Sequence, residues 1–301
     1  MVYSGFADEA GSSIDIQIQA TQTLGWSAIE ARNIDGINLT DISDEEFERV
    51  CQKLDESGVR IDCFGSAVAN WGKDARDEED FQRSIEELKR AIPRMQRLKT
   101  DLIRGMSFAI VKDEQPDSPK LEQMIIEKLR ALVRLCEENG VTYLHENCSN
   151  FGGLSYQHTL KLLDRIDSPN FKLVFDTGNP VGMDSRIGQP PYTKQSSWEF
   201  YQNVKHAIRR IHIKDCIFIG ESEGIFPKRQ HTFPGEGQGD VRRILKDLIE
   251  SGYDQALSIE PHIAVVYHDA SVSSPEEMQY ANYVEYGQRL MKLTAEIRRE
   301  I

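Results

Sequence analysis

A single (β/α)8 barrel spanning residues 1–301 is the fold class this sequence predicts, on three observations. Short β-branched or apolar runs alternate with helix-period segments along the chain, and eight such pairs can be drawn. Helices stop at a glycine one residue before the next strand, in Leu24-Gly25, Ser57-Gly58, Asn139-Gly140 and Ser251-Gly252, the form of a tight αβ turn. The long connections lie only behind strand C-termini: about twenty residues follow Asp176 and about twenty-five follow Asp215, against a usual two to six or so. That face is where such a barrel carries its active site. A doubly wound open sheet would show a glycine fingerprint after its first strand, and FADEAGSS is not G-x-G-x-x-G.

In order, the predicted strands are Val2 to Ala7, Ala28 to Arg32, Val59 to Phe64, Leu102 to Ser107, Val141 to Glu146, Phe171 to Asp176, Arg210 to Lys214 and Ala256 to Glu260. Helices fill the intervals. Phe81, Ile85, Leu88, Ile92 and Met95 are spaced as one buried stripe, as are Tyr280, Tyr283, Val284, Gly287, Leu290 and Met291. The glycine-rich run Pro234-Gly235-Glu236-Gly237-Gln238-Gly239-Asp240 reads as a turn closed by an Asp240 N-cap.

Composition narrows the function classes. The 36 Lys and Arg against 49 Asp and Glu give a net charge of −13, which opposes nucleic acid as a partner. No run approaches the roughly 20 apolar residues of a membrane helix, and MVYSGFADEA carries neither a basic nor an apolar leader region. Cys51, Cys63, Cys136, Cys148 and Cys216 are odd in number, scattered and free of C-x-x-C spacing, which suits a reducing cytoplasm. The expectation is a cytoplasmic protein with no membrane and no nucleic-acid partner.

The late strands carry the chemistry. Alternation in RIHIK turns Ile211 and Ile213 to the helices and Arg210, His212 and Lys214 to the barrel axis. The same parity turns inward Lys172, Val174 and Asp176, then Ala256, Ser258 and Glu260, and sets Thr142, Leu144 and Glu146 on one face. Four consecutive strands thus each deliver one metal-competent side chain near the rim: Glu146, Asp176, His212 and Glu260. Three carboxylates around one axis repel one another unless a cation sits among them. Three oxygens and one nitrogen favour Mn²⁺ or Mg²⁺, with Co²⁺ an alternative, over a thiolate zinc site. Each residue taken alone would equally serve as a salt-bridge partner; their common phase is what singles them out.

The array LHEN, VFDTGN, HIKD and SIEPH resembles the xylose-isomerase-like TIM-barrel superfamily of sugar isomerases, epimerases, inosose dehydratases and related lyases. The resemblance implies one divalent ion on Glu146, Asp176, His212 and Glu260, with both glutamates doubling as acid and base. It also implies a sugar or polyol substrate and a metal-dependent isomerase or epimerase working through an enediolate. A dehydratase acting on a 3-oxo-sugar or inosose is the alternative, because one such site supports proton return to either carbon or expulsion of a β-hydroxyl. Keto-sugar epimerases of the group often carry His three residues after the aspartate; here Asn179 stands there, able to bind a hydroxyl and unable to pass a proton.

Several neighbours are candidates for the same site. His145 points by parity to the helix layer, although a twist at the strand end would make it a catalytic base. Asn179, Lys214, His262, Arg104 and Trp71 are candidate substrate contacts, with Lys214 alternatively a counter-ion for Glu146 and Glu260. Glu30 and Arg32 end the second strand and Lys73 follows Trp71, while Lys228, Arg229 and His231 are expected on a solvated surface. The acidic glycine turn favours an unphosphorylated polyol. A DNA-repair endonuclease of the superfamily is disfavoured by the net charge and by histidines confined to His145 onward. A non-catalytic sugar-binding barrel is a third reading, and a homo-oligomer or a partner subunit completing the pocket is compatible with all of them.

Overall fold

Turn chemistry sets the rhythm of the chain. Gly25, Gly58, Gly140 and Gly252 all lie in the left-handed region, with φ between +69° and +74°, where a side chain would be strained. At the other helix ends Ser13, Ser43, Asp77, Ser118 and Ser196 accept first-turn N–H groups on their side chains. The computed structural model describes residues 1–265 and 274–301. Its barrel strands are β1 (Val2–Gly5), β2 (Ala28–Ala31), β3 (Arg60–Gly65), β4 (Leu102–Gly105), β5 (Thr142–Glu146), β6 (Phe171–Asp176), β7 (Ile208–Ile213) and β8 (Ala256–Ile259). The helices are α1 (Ile14–Thr23), α2 (Asp44–Ser57), α3 (Glu78–Leu98), α4 (Pro119–Glu137), α5 (Tyr156–Ile166), α6 (Ser197–Val204), α7 (Val241–Glu250) and α8 (Glu276–Glu300).

Each strand pairs in parallel with its neighbour in chain order from β2 to β8, and β8 pairs with β1. A parallel bridge between Phe6 and Glu30 joins β1 to β2, so the eight strands form the expected, nearly closed (β/α)8 barrel. Boundaries differ from expectation by one or two residues. Strand β7 begins at Ile208 rather than Arg210, and β4 stops at Gly105 rather than Ser107. Two short antiparallel hairpins were not foreseen. One pairs Asn33–Ile34 with Ile37–Asn38, and the other pairs Asp215–Gly220 with Lys228–Thr232 inside the long seventh connection.

The core has two compartments. Outward side chains such as Ile29, Ile61, Ile103, Phe175, Ile211 and Leu257 are buried under the helices, while Cys63, Leu102, Leu144 and Val174 form a separate apolar cluster. Inside the barrel lies a polar layer around Arg210, which is 1% exposed. Its guanidinium donates to Glu30 Oε2 at 2.6 Å, Asp62 Oδ1 at 2.8 Å and Ser4 Oγ at 3.0 Å, and Ser258 Oγ donates to Glu30 Oε2 at 2.6 Å. A buried cation is tolerable only with such pairing. Among the described residues, no helix is long and apolar enough to cross a membrane.

Candidate metal centre

Register brings the late-strand polar groups to one level. Asp176 pairs with His212 across β6 and β7, and His212 with Ser258 across β7 and β8. One donor atom from each of Glu146, Asp176, His212 and Glu260 lies within 4.8 Å of the others, and all four residues are buried. His212 Nδ1 stands 4.0 Å from Glu146 Oε1, 4.0 Å from Asp176 Oδ2 and 3.9 Å from Glu260 Oε2. Its Nε2 is 3.0 Å from Glu30 Oε2. Burial pushes the Glu30 carboxyl up, and Arg210 and His212 more than reverse this, holding it below the usual range. An ionised Glu30 accepts a hydrogen bond from Nε2–H of the ring, which leaves the Nδ1 lone pair facing the three carboxylates.

Among the described residues, two atoms facing that gap have no hydrogen-bond partner: His212 Nδ1 and Asp176 Oδ2. The other Asp176 oxygen accepts from Gly178 N at 2.8 Å and Asn179 N at 2.7 Å. Lys214 Nζ lies 2.9 Å from Asp176 Oδ2, off the hydrogen-bonding direction, and donates to Glu260 Oε2 at 2.8 Å. A buried acceptor without any partner costs about 1–3 kcal/mol, which applies to His212 Nδ1, while Lys214 meets part of the charge of Asp176 Oδ2. Both atoms, in a set of three carboxylates and one imidazole, fit a divalent cation. Burial pushes the Asp176 carboxyl up to about 7, with Lys214 opposing and Glu260 and Glu146 reinforcing. Burial raises Glu260 as well, but Lys214, His262, His212 and Arg32 outweigh it and hold that carboxyl well below its ordinary value.

Both glutamates are oriented from two sides. Glu146 Oε2 accepts from Arg104 Nη1 at 2.7 Å and Oε1 from Asn179 Nδ2 at 2.9 Å. Glu260 Oε1 accepts from Arg32 Nη1 at 3.1 Å, and His262 Nε2 is 3.5 Å from the same oxygen. These groups, with Lys214 and Trp71, line a cavity of about 800 Å³ at the C-terminal face of the strands. Trp71 packs edge-on against Phe226, ring centres 5.7 Å apart. Among the candidates, Asn179, Lys214, His262, Arg104 and Trp71 are thus gathered around the four central residues.

His145 is not. Alternation in β5 holds, so the ring lies in the helix layer, hydrogen-bonded to Ser107 Oγ at 2.9 Å. A Cβ at Gly152 would come within 2.2 Å of it, and burial pushes its pKa down to about 3. The twist that would have made it a base is absent. Lys73 is likewise buried against Glu87 at 2.6 Å instead of reaching the mouth. Arg229 and His231, expected on a solvated surface, line the cavity because the seventh connection folds as a hairpin. Asp240 holds the N-cap position of α7 at φ 53° but makes no cap bond there; its Oδ2 accepts from Trp198 N at 3.2 Å.

Sequence reasoning left the first strand's contribution out. Arg32 joins Asp8, at 2.9 and 3.1 Å, and Glu9, at 3.2 Å, to Glu260, while Glu9 accepts from the His262 backbone N–H at 2.7 Å. The position of Asp8 and Glu9 directly behind the first strand, at the face where the long connections lie, was the available signal. Asp215 was also unassigned. Its carboxylate accepts N–H groups from Gly235 and Gly237 on Oδ2 and from Gly239 and Cys216 on Oδ1. A Cβ at Gly237 would stand 2.4 Å from Oδ1, which explains that glycine.

Known proteins agree with this architecture. An inosose dehydratase of Clostridium botulinum is 25% identical over 163 residues, covering 50% of this chain and 48% of that one. The chain spans about half the length or less of the curated relatives it matches. A crystal structure of a D-tagatose 3-epimerase-like protein superposes with a TM-score of 0.72 at 16% identity, covering 100% of this chain and 99% of that one. A xylose isomerase-like TIM barrel protein from Mycobacterium smegmatis in complex with magnesium superposes with a TM-score of 0.67 at 15% identity, over 97% of each chain. At such identities these likenesses are of fold. The family model described as xylose isomerase-like TIM barrel matches residues 18–290, and this chain belongs to that family.

Proposed function

We propose that the chain is a divalent-metal-dependent isomerase or epimerase that moves a proton beside the carbonyl of a polyhydroxylated ketone. The observation that supports this best is that two atoms of a buried set of four donors, His212 Nδ1 and Asp176 Oδ2, make no hydrogen bond among the described residues, although Lys214 stands in ion-pair range of the second. Glu146, Asp176, His212 and Glu260 would hold the ion, Mn²⁺ by preference with Mg²⁺ or Co²⁺ as alternatives. When bound, it supplies a Lewis acid that polarises the ketone oxygen and acidifies the neighbouring C–H.

The protein's own groups do the rest. Glu146 and Glu260 stand on β5 and at the end of β8 and face one gap, so they can reach a planar intermediate from different sides. Arg104 and Asn179 on one glutamate, Arg32 and Lys214 on the other, are donors that substrate hydroxyls can recruit, exposing the carboxylate oxygen that takes the proton. Asn179 binds a hydroxyl without passing a proton, so the proton work falls to the glutamates. The Clostridium relative's name favours a second reading, a dehydratase on an inosose or 3-oxo-sugar. With His145 facing the helices, its base would be His262 or a glutamate.

Metal analysis of protein purified without chelator should find about one divalent ion per chain. Incubation in D2O with ketoses, inososes and their phosphates then separates the readings. Deuterium in recovered sugar with no water lost supports isomerase or epimerase, and an ultraviolet-absorbing conjugated product supports dehydratase. Glu146→Gln and Glu260→Gln should each slow exchange by roughly a hundredfold to ten-thousandfold. No metal and no exchange with any substrate would overturn the proposal.

A further inference from the structure

The cations that surround the central cluster are neutralised in place. Arg32 meets Asp8, Glu9 and Glu260; Arg104 meets Glu146; Arg210 meets Glu30 and Asp62; Lys214 meets Asp176 and Glu260. Arg229 also lines the cavity, and it has no carboxylate at ion-pair distance among the described residues. Two backbone carbonyls fix its guanidinium: Nε donates to Val181 O at 2.8 Å and Nη2 to Asn179 O at 2.7 Å. That uses the Nε/Nη2 edge of the fork and leaves the Nη1/Nη2 edge, which can also take a planar or tetrahedral anion bidentately. Asn179 in turn donates to Glu146, so this cation stands one residue from the central cluster. Lys228, next in the chain, lines the same cavity and also lacks an acidic partner among the described residues. In a chain of net charge −13 this is a local cationic surplus in the cavity wall. Arg229 is half-buried, its hydrogen-bond partners are neutral carbonyls, and burial pushes its pKa down. An anionic ligand supplies the counter-charge.

We infer that Arg229 receives an anionic group of the substrate, a carboxylate or a phosphate monoester, so that the substrate is a polyhydroxylated keto acid or sugar phosphate rather than an uncharged ketose or inosose. The inference rests on the proposed reaction only in taking this cavity as the one that admits the ketone.

Calorimetric binding of D-gluconate, D-glucitol 6-phosphate and uncharged D-glucitol to the metal-loaded wild type tests it without turnover. One of the two anions should bind at least about tenfold more tightly than glucitol, and which one it is separates carboxylate from phosphate. Arg229→Met should remove that preference, a loss of about tenfold to a hundredfold, and Arg229→Lys should keep part of it. Arg229→Gln, whose amide can still donate to the Val181 or Asn179 carbonyl, stands in if the methionine variant fails to fold. Equal affinities for all three ligands in the wild type, or a preference that survives both neutral substitutions, overturns the inference. A clear anion preference with no deuterium exchange on any substrate would refute the reaction and leave the anion receptor standing. Exchange with an uncharged ketose as efficient as with its acid and phosphate counterparts would do the reverse.

Discussion

The two nitrogens of His212 have opposite duties, and Glu30 assigns them. By accepting at Nε2 it leaves Nδ1 as an acceptor among three carboxylates, and its own ionisation is secured by Arg210 beneath. His145 shows the converse case. It precedes Glu146 in the chain, faces the opposite side of β5, and touches Ser107 and the Phe171 ring. Burial lowers its pKa from 6.5 to about 3, so the folded chain keeps it neutral where the unfolded chain takes up a proton. Its contribution to stability is therefore complete above about pH 6.5 and drains away as the pH falls toward 3, reaching a loss of about 2 kcal/mol at pH 5. His145→Gln cannot titrate. Denaturant unfolding at pH 7 and pH 5 should show the wild type losing about 2 kcal/mol more than the variant over that interval, with metal content unchanged. Parallel losses in both proteins would mean that His145 is protonated in the folded state.

At the level of elements, the segment after β7 supplies both the cavity wall and its anchor. Asp215 begins the hairpin and gathers four backbone N–H groups, three of them from the glycine turn that leads into α7. An amide offers one acceptor oxygen where the carboxylate offers two. Asp215→Asn should cost about 1–3 kcal/mol in denaturant unfolding and open the 235–239 turn to limited proteolysis; unchanged stability and an intact turn would contradict that role. The hairpin was illegible in the sequence because KRQHT carries no apolar alternation and CIFIG follows directly on the seventh barrel strand, so the second edge does not read as a strand and the first has no visible partner. The barrel strands were legible because alternation inside a closed sheet leaves each residue one of two environments. That rule located Glu146, Asp176, His212 and Glu260 without any structure. It says nothing of partners across the barrel, and Glu30, 182 residues from His212 in the chain, needed the closure of β1 on β2 and β8 to find it. Helix starts at a serine or aspartate and turns at glycine were legible for a local reason: the signal and the structure occupy the same few residues.

Across the whole molecule, the four central donors come from β5, β6 and β7 and from the end of β8, residues 146 to 260. In an unfolded chain they are far apart, so a divalent cation that needs all four binds the folded state alone, and its binding free energy adds to stability. The strands joined in this way form one half of the barrel wall. The other half is tied to them by the Arg32 bridge to Glu260 and by Arg210 through Glu30 and Asp62. Strengthening the central gap therefore restrains the full ring of strands, and unfolding should shift as one transition. At a hundredfold excess of free ion over its dissociation constant the gain is about 2.7 kcal/mol, or roughly 4 °C for a chain of this size. Each further tenfold in free Mn²⁺ should add about 1.4 kcal/mol. Calorimetric scans after chelation and across a Mn²⁺ series measure this directly, and Asp176→Asn should flatten the series while keeping a single transition. A melting temperature indifferent to chelator and to Mn²⁺ would show that Lys214, already 2.9 Å from Asp176 and 2.8 Å from Glu260, meets the charge requirement of the cluster without an ion.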